Sequence, residues 1–398
     1  MKLLHTSDWH IGHELYGYDR ADDFRDIARQ IADIVATEQP DAMLVSGDIF
    51  HTANPSAAAQ SILGRALVDI GSRHPSMPVI LTAGNHDGAS RLEAFSEPMR
   101  KAGIIIVGNA PRSEDADEWM DRQLVEAGGG YILPVPYMLS SRYRDTFLDA
   151  LKRLADRLPE GRPLVVAAHT TVAGCDFAGH NDADEHIVGG IESITPEAAG
   201  AGIADYVALG HIHRRQAVRG SHGRACYSGS PLAVSFDEQY THSVSVVEIT
   251  ERGSVPVVRT IPLEQRRPLL TLGGADGTTW KEMLLQLKRL KKEPPPRGAF
   301  FRLNVVVDNG ETLPPDADSI ASALIAEAEG NFCLINGIIR KREGAAGQTR
   351  MSLQLFRSMA PADIAAAYAQ RVGRRLTEPM LRLFDLAKQC AESPDNPQ

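Results

Sequence analysis

Short apolar runs of strand length recur through the first two thirds of the chain, and five of them break off at polar motifs of one kind. KLLHTS (2–7) runs into Asp8-Trp9-His10, AMLVSG (42–47) into Asp48, and PVILTAG (78–84) into Asn85-His86-Asp87. PLVVAAH (163–169) ends on His169, and DYVALGH (205–211) ends on His211 with His213 two residues further on. Between the first runs lie segments of helical period: 22–39, with Phe24, Ile27, Ile31, Ile34 and Val35 in phase, and 55–71, opened by Pro55 and closed by Gly71. Residues 90–103 read as a helix or helical turn, followed by the strand IIIVG (104–108). Such alternation predicts a largely parallel sheet covered by helices. In open sheets of this type the loops beyond the carboxyl ends of the strands form the ligand crevice. Five motifs remote in sequence therefore converge on one rim.

Further on, RACYSG (224–229), SVSVVEIT (243–250) and VPVVRTI (255–261) follow one another without helices. They predict a second, antiparallel sheet against the first, an α/β sandwich. LEQRRP (263–268) reads as a boundary. Beyond it, strands at 269–274, 300–307 and 332–342 alternate with helices at 280–292 and 319–330, a small α+β pattern, with EPPPRG (293–298) as a turn or stiff connector. Two more helices are predicted at 361–373 and 378–390; Met380, Leu381, Leu383, Phe384 and Leu386 crowd one side of the second.

Six of the thirteen histidines, His10, His51, His86, His169, His211 and His213, fall in or beside the strand-end motifs, more than even scatter would put there. Carboxylate, imidazole and amide oxygen are ligands for Mn²⁺, Fe²⁺ or Zn²⁺ rather than for a soft thiolate site. An Asp-x-His pair points both side chains to one side of an extended segment. His211 and His213 stand in the same relation, although a turn there would aim them at two ions. Asp48 is suited to bridge two ions, one on each carboxylate oxygen. Glycines 47, 84 and 210 allow tight turns and close approach of backbone to ligand. Trp9 reads as packing, and His5 needs no ligand role.

These motifs, in this order, resemble the calcineurin-like metallophosphoesterase superfamily. LLHTSDWHIG, SGDIF, LTAGNHD, YVALGHIHR and YSGSPLAVSFDE are more specifically similar to the SbcD nuclease family of double-strand-break repair, over roughly residues 1–250 and more weakly beyond. The resemblance implies an α/β metallophosphoesterase sandwich of two mixed β-sheets flanked by helices, then a small α+β capping domain and C-terminal helices. The corresponding bounds are a nuclease domain at 1–264, a capping domain at 265–345 and a partner-binding helical segment at 346–398. It implies that Asp8, His10, Asp48 and His213 hold one metal and that Asp48, Asn85, His169 and His211 hold the other. His86 would be the catalytic histidine, Asp87 would orient it through a hydrogen bond, and His51 would contact phosphate. The implied reaction is two-metal, Mn²⁺-dependent hydrolysis of phosphodiesters at DNA ends and hairpins, in DNA repair and recombination. The implied partners are DNA and an SbcC-like ATPase with a coiled coil, the chain forming a homodimer within a heterotetramer.

Other readings share these motifs. The chain could act on a small nucleotide or phosphomonoester, or serve as a DNA-end-binding scaffold with a silent site. The extra length beyond the catalytic region and GSPLAVSFDE favour the nuclease; the full ligand set argues against a silent site. The formal net charge of -9 is unlike a stand-alone nucleic-acid binder, so a partner is expected to supply much of the DNA grip. Four scattered cysteines, no CxxC pair, no signal-peptide pattern and no run long enough to span a membrane predict a cytoplasmic protein.

Overall fold

The computed structural model describes residues 1–94, 96–110, 115–138, 141–176, 193–308 and 312–340. Alternation begins at once: β1 (Lys2–Thr6), α1 (Ala21–Glu38), β2 (Ala42–Ser46), α2 (Ala57–Arg73), β3 (Val79–Thr82), the short α3 (Ala89–Glu93) and α4 (Ser96–Lys101), and β4 (Ile104–Val107). The four strands pair in parallel in chain order. Helix α1 buries Phe24, Ile27, Ile31 and Val35, the stripe its period predicts. The start of α2 is set by Ser56, whose side chain accepts a hydrogen bond from the Ala59 N–H, satisfying one of the helix's unpaired donors.

The chain continues through α5 (Ala116–Gln123), β5 (Val125–Ala127), β6 (Gly130–Val135), α6 (Ser141–Arg157), β7 (Leu164–His169), β8 (Tyr206–Gly210), β9 (Gln216–Ala217), β10 (Ala225–Tyr227), β11 (Ser243–Glu248) and β12 (Val257–Pro262). The second sheet has the order β5-β6-β7-β8-β10-β9. Its four middle strands are parallel, and only β5 and β9 run antiparallel at the edges. The expected antiparallel sheet of 224–229, 243–250 and 255–261 is therefore corrected. β10 joins β8 in parallel, whereas β11 and β12 cross back and extend the first sheet antiparallel beside β1. Burial gives the reason: Val244 and Val246 of β11 face one core and Val247 the other, so the strand needs cover on both sides, which the open edge at β1 offers. The β5–β6 hairpin arises where the apolar pattern assigns no element. It turns on Gly128 and Gly129 alone, both with positive φ (54° and 74°), as a two-residue hairpin requires.

The two sheets stack, and the period-2 alternation of the first divides its side chains between two cores. Leu3, Leu44, Ile80, Ile105 and Val107 pack between the sheets with Val166, Val207 and Leu209. Leu4, Met43, Val45, Val79, Leu81 and Ile106 pack outward against α1 and α2. Burial on both faces is why these strands read as unbroken apolar runs.

A third sheet, β13-β14-β15, is built from β13 (Leu269–Leu272), α7 (Trp280–Leu290), β14 (Phe300–Asp308), α8 (Ala317–Glu327) and β15 (Asn331–Arg340). Its helices cover a separate core around Met283, Phe301, Leu303 and Ile325. Helix α7 opens with a capping box between Thr279 and Glu282. The sheet is tied to the sandwich by an Arg267–Asp23 ion pair at 2.8 Å and by the Tyr18 hydroxyl donating to the Phe332 carbonyl at 2.9 Å. Met1–Ile339 form one compact unit and Arg340–Gln398 another. The helices predicted at 361–373 and 378–390 lie outside the described residues. Among the described residues no helix is long and apolar enough to cross a membrane.

Because Ile80 and Leu81 are both fully covered, on opposite faces of β3, Ile80→Ala and Leu81→Ala should each cost about 2–5 kcal/mol. Urea unfolding would read this; a silent substitution at either position would show that one face of the sheet is open.

Candidate metal centre

Five adjacent strand ends build the site: β1, β2 and β3 from the first sheet, β7 and β8 from the second. Beyond β1, Asp8 and His10 are not extended. Their φ values are 53° and 46°, and Asp48 (49°) and His211 (103°) share the left-handed region. The expectation that the i, i+2 relation of Asp8 and His10 follows from an extended strand is thus overturned. Two backbone bonds hold the loops instead, Asp8 N–H to the Gly47 carbonyl and His10 N–H to the Asp48 carbonyl, each 3.0 Å. Non-glycine residues in this region are uncommon and concentrate at functional sites, with Asp, Asn and His the side chains that tolerate it best. Close approach does the rest. A Cβ on residue 84 would overlap the Asp48 carboxylate and backbone nitrogen, so Gly84 is what lets the β3 loop reach that carboxylate.

The side chains form two sets that meet at one oxygen. In the first, ligand atoms of Asp8, His10 and His213 lie within 4.8 Å of one another, and the His10 and His213 Nε2 atoms are 3.0 Å apart. In the second, Asp48, His169 and His211 are equally close. The Asn85 Oδ1 lies 3.0 Å from His169 Nε2 and 3.1 Å from His211 Nδ1. Asp48 Oδ2 stands between the sets, 3.7 Å from His10 Nε2 and 3.4 Å from His169 Nε2. Its other oxygen accepts the His86 N–H at 2.9 Å. A single oxygen, Oδ2, thus faces both sets, while Oδ1 is engaged by the main chain.

Neighbouring groups fix which atoms point inward. His213 Nδ1 lies 2.8 Å from Glu238 Oε1, and His169 Nδ1 lies 2.8 Å from the Ser46 carbonyl. Both partners are acceptors, so both Nδ1 atoms carry a proton, and each Nε2 presents a lone pair inward once it holds none. Asp8 accepts from the His211 N–H (2.9 Å) through Oδ1 and from the Ser7 hydroxyl through Oδ2. Carboxylate, amide and imidazole ligand atoms thus compete for few protons in a pocket where Asp8, His10, Asp48, His169, His211 and His213 are all buried. A divalent cation resolves that conflict, and this donor set fits one.

The electrostatics agree. Burial pushes the Asp8 carboxyl up, against the pull of His169 and His213. Burial acts the same way on Asp48, but His169 and His10 beside it hold it well below the usual carboxylate range. Burial would lower His169, yet Asp48 and Asp8 carry it up to about 9. His10 is driven well below its ordinary value, by burial above all.

His86 stands at the edge of the first set, its ring 4.9 Å from that of His10. Its Nδ1 lies 3.0 Å from the His51 carbonyl, and its buried Nε2 has no hydrogen-bond partner. Asp87 does not orient it. The Asp87 carboxylate accepts instead from the backbone N–H groups of Ile49, Phe50 and Gly84 at 2.9–3.0 Å. That corrects the expected hydrogen bond: Asp87 ties the β3 loop to the β2 loop and acts on His86 only through the backbone. Burial, with Asp48 nearby, pushes Asp87 up to about 7. His51 stacks on His86 with ring centroids 5.8 Å apart and an interplanar angle of 18°.

Sequence reasoning missed two neighbours. Glu238 lies in SFDE, 25 residues after His213, and no spacing rule links them. His13, three residues past His10, packs edge-on against His51 with centroids 4.7 Å apart. Trp9 is buried packing, as read, and donates to the Thr6 hydroxyl at 3.1 Å. His5 lies against the Tyr206 hydroxyl at 3.0 Å, away from the ligands.

A family model for calcineurin-like phosphoesterases matches residues 1–215. The SbcD component of the SbcCD nuclease of Rhodobacter capsulatus is 33% identical over 403 residues, covering 92% of this chain and 94% of that protein. Its Bacillus subtilis namesake is 32% identical over 70% of this chain and 73% of its own length. The Escherichia coli K12 namesake is 28% identical over 74% and 76%.

Two outcomes follow from the geometry. Glu238→Ala should lower metal affinity about 10–100-fold by freeing the His213 ring, read by Mn²⁺ titration; unchanged affinity would remove Glu238 from the site. A cation entering the second set must displace the His169 proton, so its apparent affinity should rise up to about tenfold per pH unit toward pH 9. A pH-independent affinity between pH 7 and 8.5 would contradict that.

Proposed function

This chain belongs to the calcineurin-like phosphoesterases and, among them, to the SbcD family, and from that membership we infer that it is the nuclease component of an SbcCD-type complex, hydrolysing phosphodiester bonds at DNA ends and hairpins. The observation that carries the reading is the convergence of buried acceptor atoms in two sets about Asp48 Oδ2. Asp8, His10, Asp48 and His213 hold one divalent ion and Asp48, Asn85, His169 and His211 the other, both Mn²⁺. When bound, the ions supply positive charge against the phosphate and acidify the attacking water.

The chain's own residues do the remaining work. Asp48 keeps the two halves in register, and the His86 N–H on its Oδ1 fixes the loop that carries the catalytic imidazole. His86 directs Nδ1–H at the His51 carbonyl, which leaves Nε2 to hold or deliver a proton at the leaving oxygen. His51, stacked on His86, limits its rotation and lines the phosphate's approach. No serine or cysteine nucleophile is required. Residues 265–345 serve as a capping domain, and 346–398 as the segment that docks on an SbcC-like ATPase at the base of its coiled coil. The nuclease acts as a homodimer within that complex, in the cytoplasm, and the partner supplies much of the DNA grip that a chain of net charge -9 lacks.

Hairpin and linear DNA should be cleaved in Mn²⁺, faster with a purified SbcC-like partner and ATP. Hydrolysis confined to small phosphoesters under every condition would overturn the nuclease reading. His86→Ala should retain metal and lose turnover by about 10²–10⁴-fold; full activity would remove His86 from the chemistry.

A further inference from the structure

The loop that leaves Asp8 and His10 closes in the tightest hairpin a chain allows. Leu15 N–H donates to the Tyr18 carbonyl at 3.1 Å and Tyr18 N–H to the Leu15 carbonyl at 2.9 Å, so Tyr16 and Gly17 alone form the corner. Both have positive φ, 50° and 81°, the combination that Asn, Asp and Gly supply most readily in a two-residue turn. Gly17 suits it. Tyr16 does not: a bulky side chain in the left-handed region is a strained outlier, and strain of this kind persists where the side chain has a use.

That strain holds an aromatic ring outward. Tyr16 is 59% exposed. Beneath it, 6.0 Å between centroids, lies Phe236, which is buried against Leu15 and Phe300. The Arg302 guanidinium sits 5.4 Å from the Phe236 ring and pairs with Asp237 at 2.6 Å. Tyr16 thus stands on a fixed base with most of its surface open. A residue needed for packing would be buried, and one needed only for the turn would be Asn or Gly.

The ring is linked to the metal centre from two directions. His10 lies six residues before it, a reach of at most roughly 20 Å. Phe236 lies two residues before Glu238, which holds His213. An open, rigid aromatic face at this range from a phosphodiester site matches the π face common to all four nucleobases. Stacked bases at about 3.4 Å per step cover the same span in about six nucleotides. We propose that Tyr16 is a stacking platform for one base of the DNA, within about six nucleotides of the scissile phosphate; this rests on the nuclease reading above.

The test pairs Tyr16→Asn, which keeps a residue favoured in the turn, with DNA substrates carrying a single abasic site at successive positions beside the cleavage point. In the unsubstituted full-length protein one position should raise KM about tenfold, the loss of one base–aromatic stack. In Tyr16→Asn that position should lose its penalty, and the melting temperature should not fall. A binding assay with 2-aminopurine at the same position and metal withheld reads the stack without cleavage: Tyr16 should quench its fluorescence and Tyr16→Asn should not. Equal abasic penalties in the two proteins, or equal fluorescence, would overturn the proposal. Failure of the unsubstituted protein to cleave any DNA would count against the nuclease reading instead, and the fluorescence comparison would still decide the stack.

Discussion

Asp48 Oδ2 faces imidazole nitrogens from both sheets at the centre of a buried cluster of polar side chains. His10 Nε2 approaches from the β1 loop and His169 Nε2 from the end of β7. All three side chains are buried, where polar atoms without a compensating charge are costly. In the metal-free chain a proton on His169 eases part of the conflict, which is what its raised pKa of about 9 expresses. A cation eases all of it. The sandwich therefore brings together groups that have no reason to be adjacent except to share positive charge.

The surrounding backbone is arranged around that requirement. Asp8, His10, Asp48 and His211 all adopt left-handed conformations, which bend each strand end sharply enough to turn its side chain into the pocket. Gly84 lets a neighbouring loop lie against Asp48 where any side chain would collide. Asp87, placed to receive three backbone N–H groups from two loops, locks the geometry of the turn that bears His86. Orientation here is supplied mainly by main-chain bonds to carboxylates, which are short, directional and insensitive to side-chain rotamers.

The candidate metal-binding residues were legible because strand-ending Asp, Asn and His stand out against apolar runs. The parallel half of the first sheet was legible because strands buried on both faces have no polar alternation. Other features left no local trace. The partner of His213 is Glu238, which closes the YSGSPLAVSFDE segment, yet no spacing rule ties it to that histidine. The β5–β6 hairpin depends on two glycines within a stretch of ordinary polarity. β11 and β12 read as strands, but whether they form their own sheet or complete the first depends on which edge is open, a property of the assembled fold.

By itself the sequence determined that chemistry-bearing residues would sit at five strand ends, because the apolar runs and the motifs that stop them are contiguous in the chain. Which residues stand together in one set, and which atom of each points inward, was decided only by tertiary structure. Asp8-x-His10 and His211-x-His213 look alike on paper, yet the first pair stays together while His211 and His213 turn to opposite sets. The reason is physical: the facing atom of an imidazole is chosen by the partner on its other nitrogen. Those partners, Glu238 and the Ser46 carbonyl among them, come from elements that meet only when the two sheets stack.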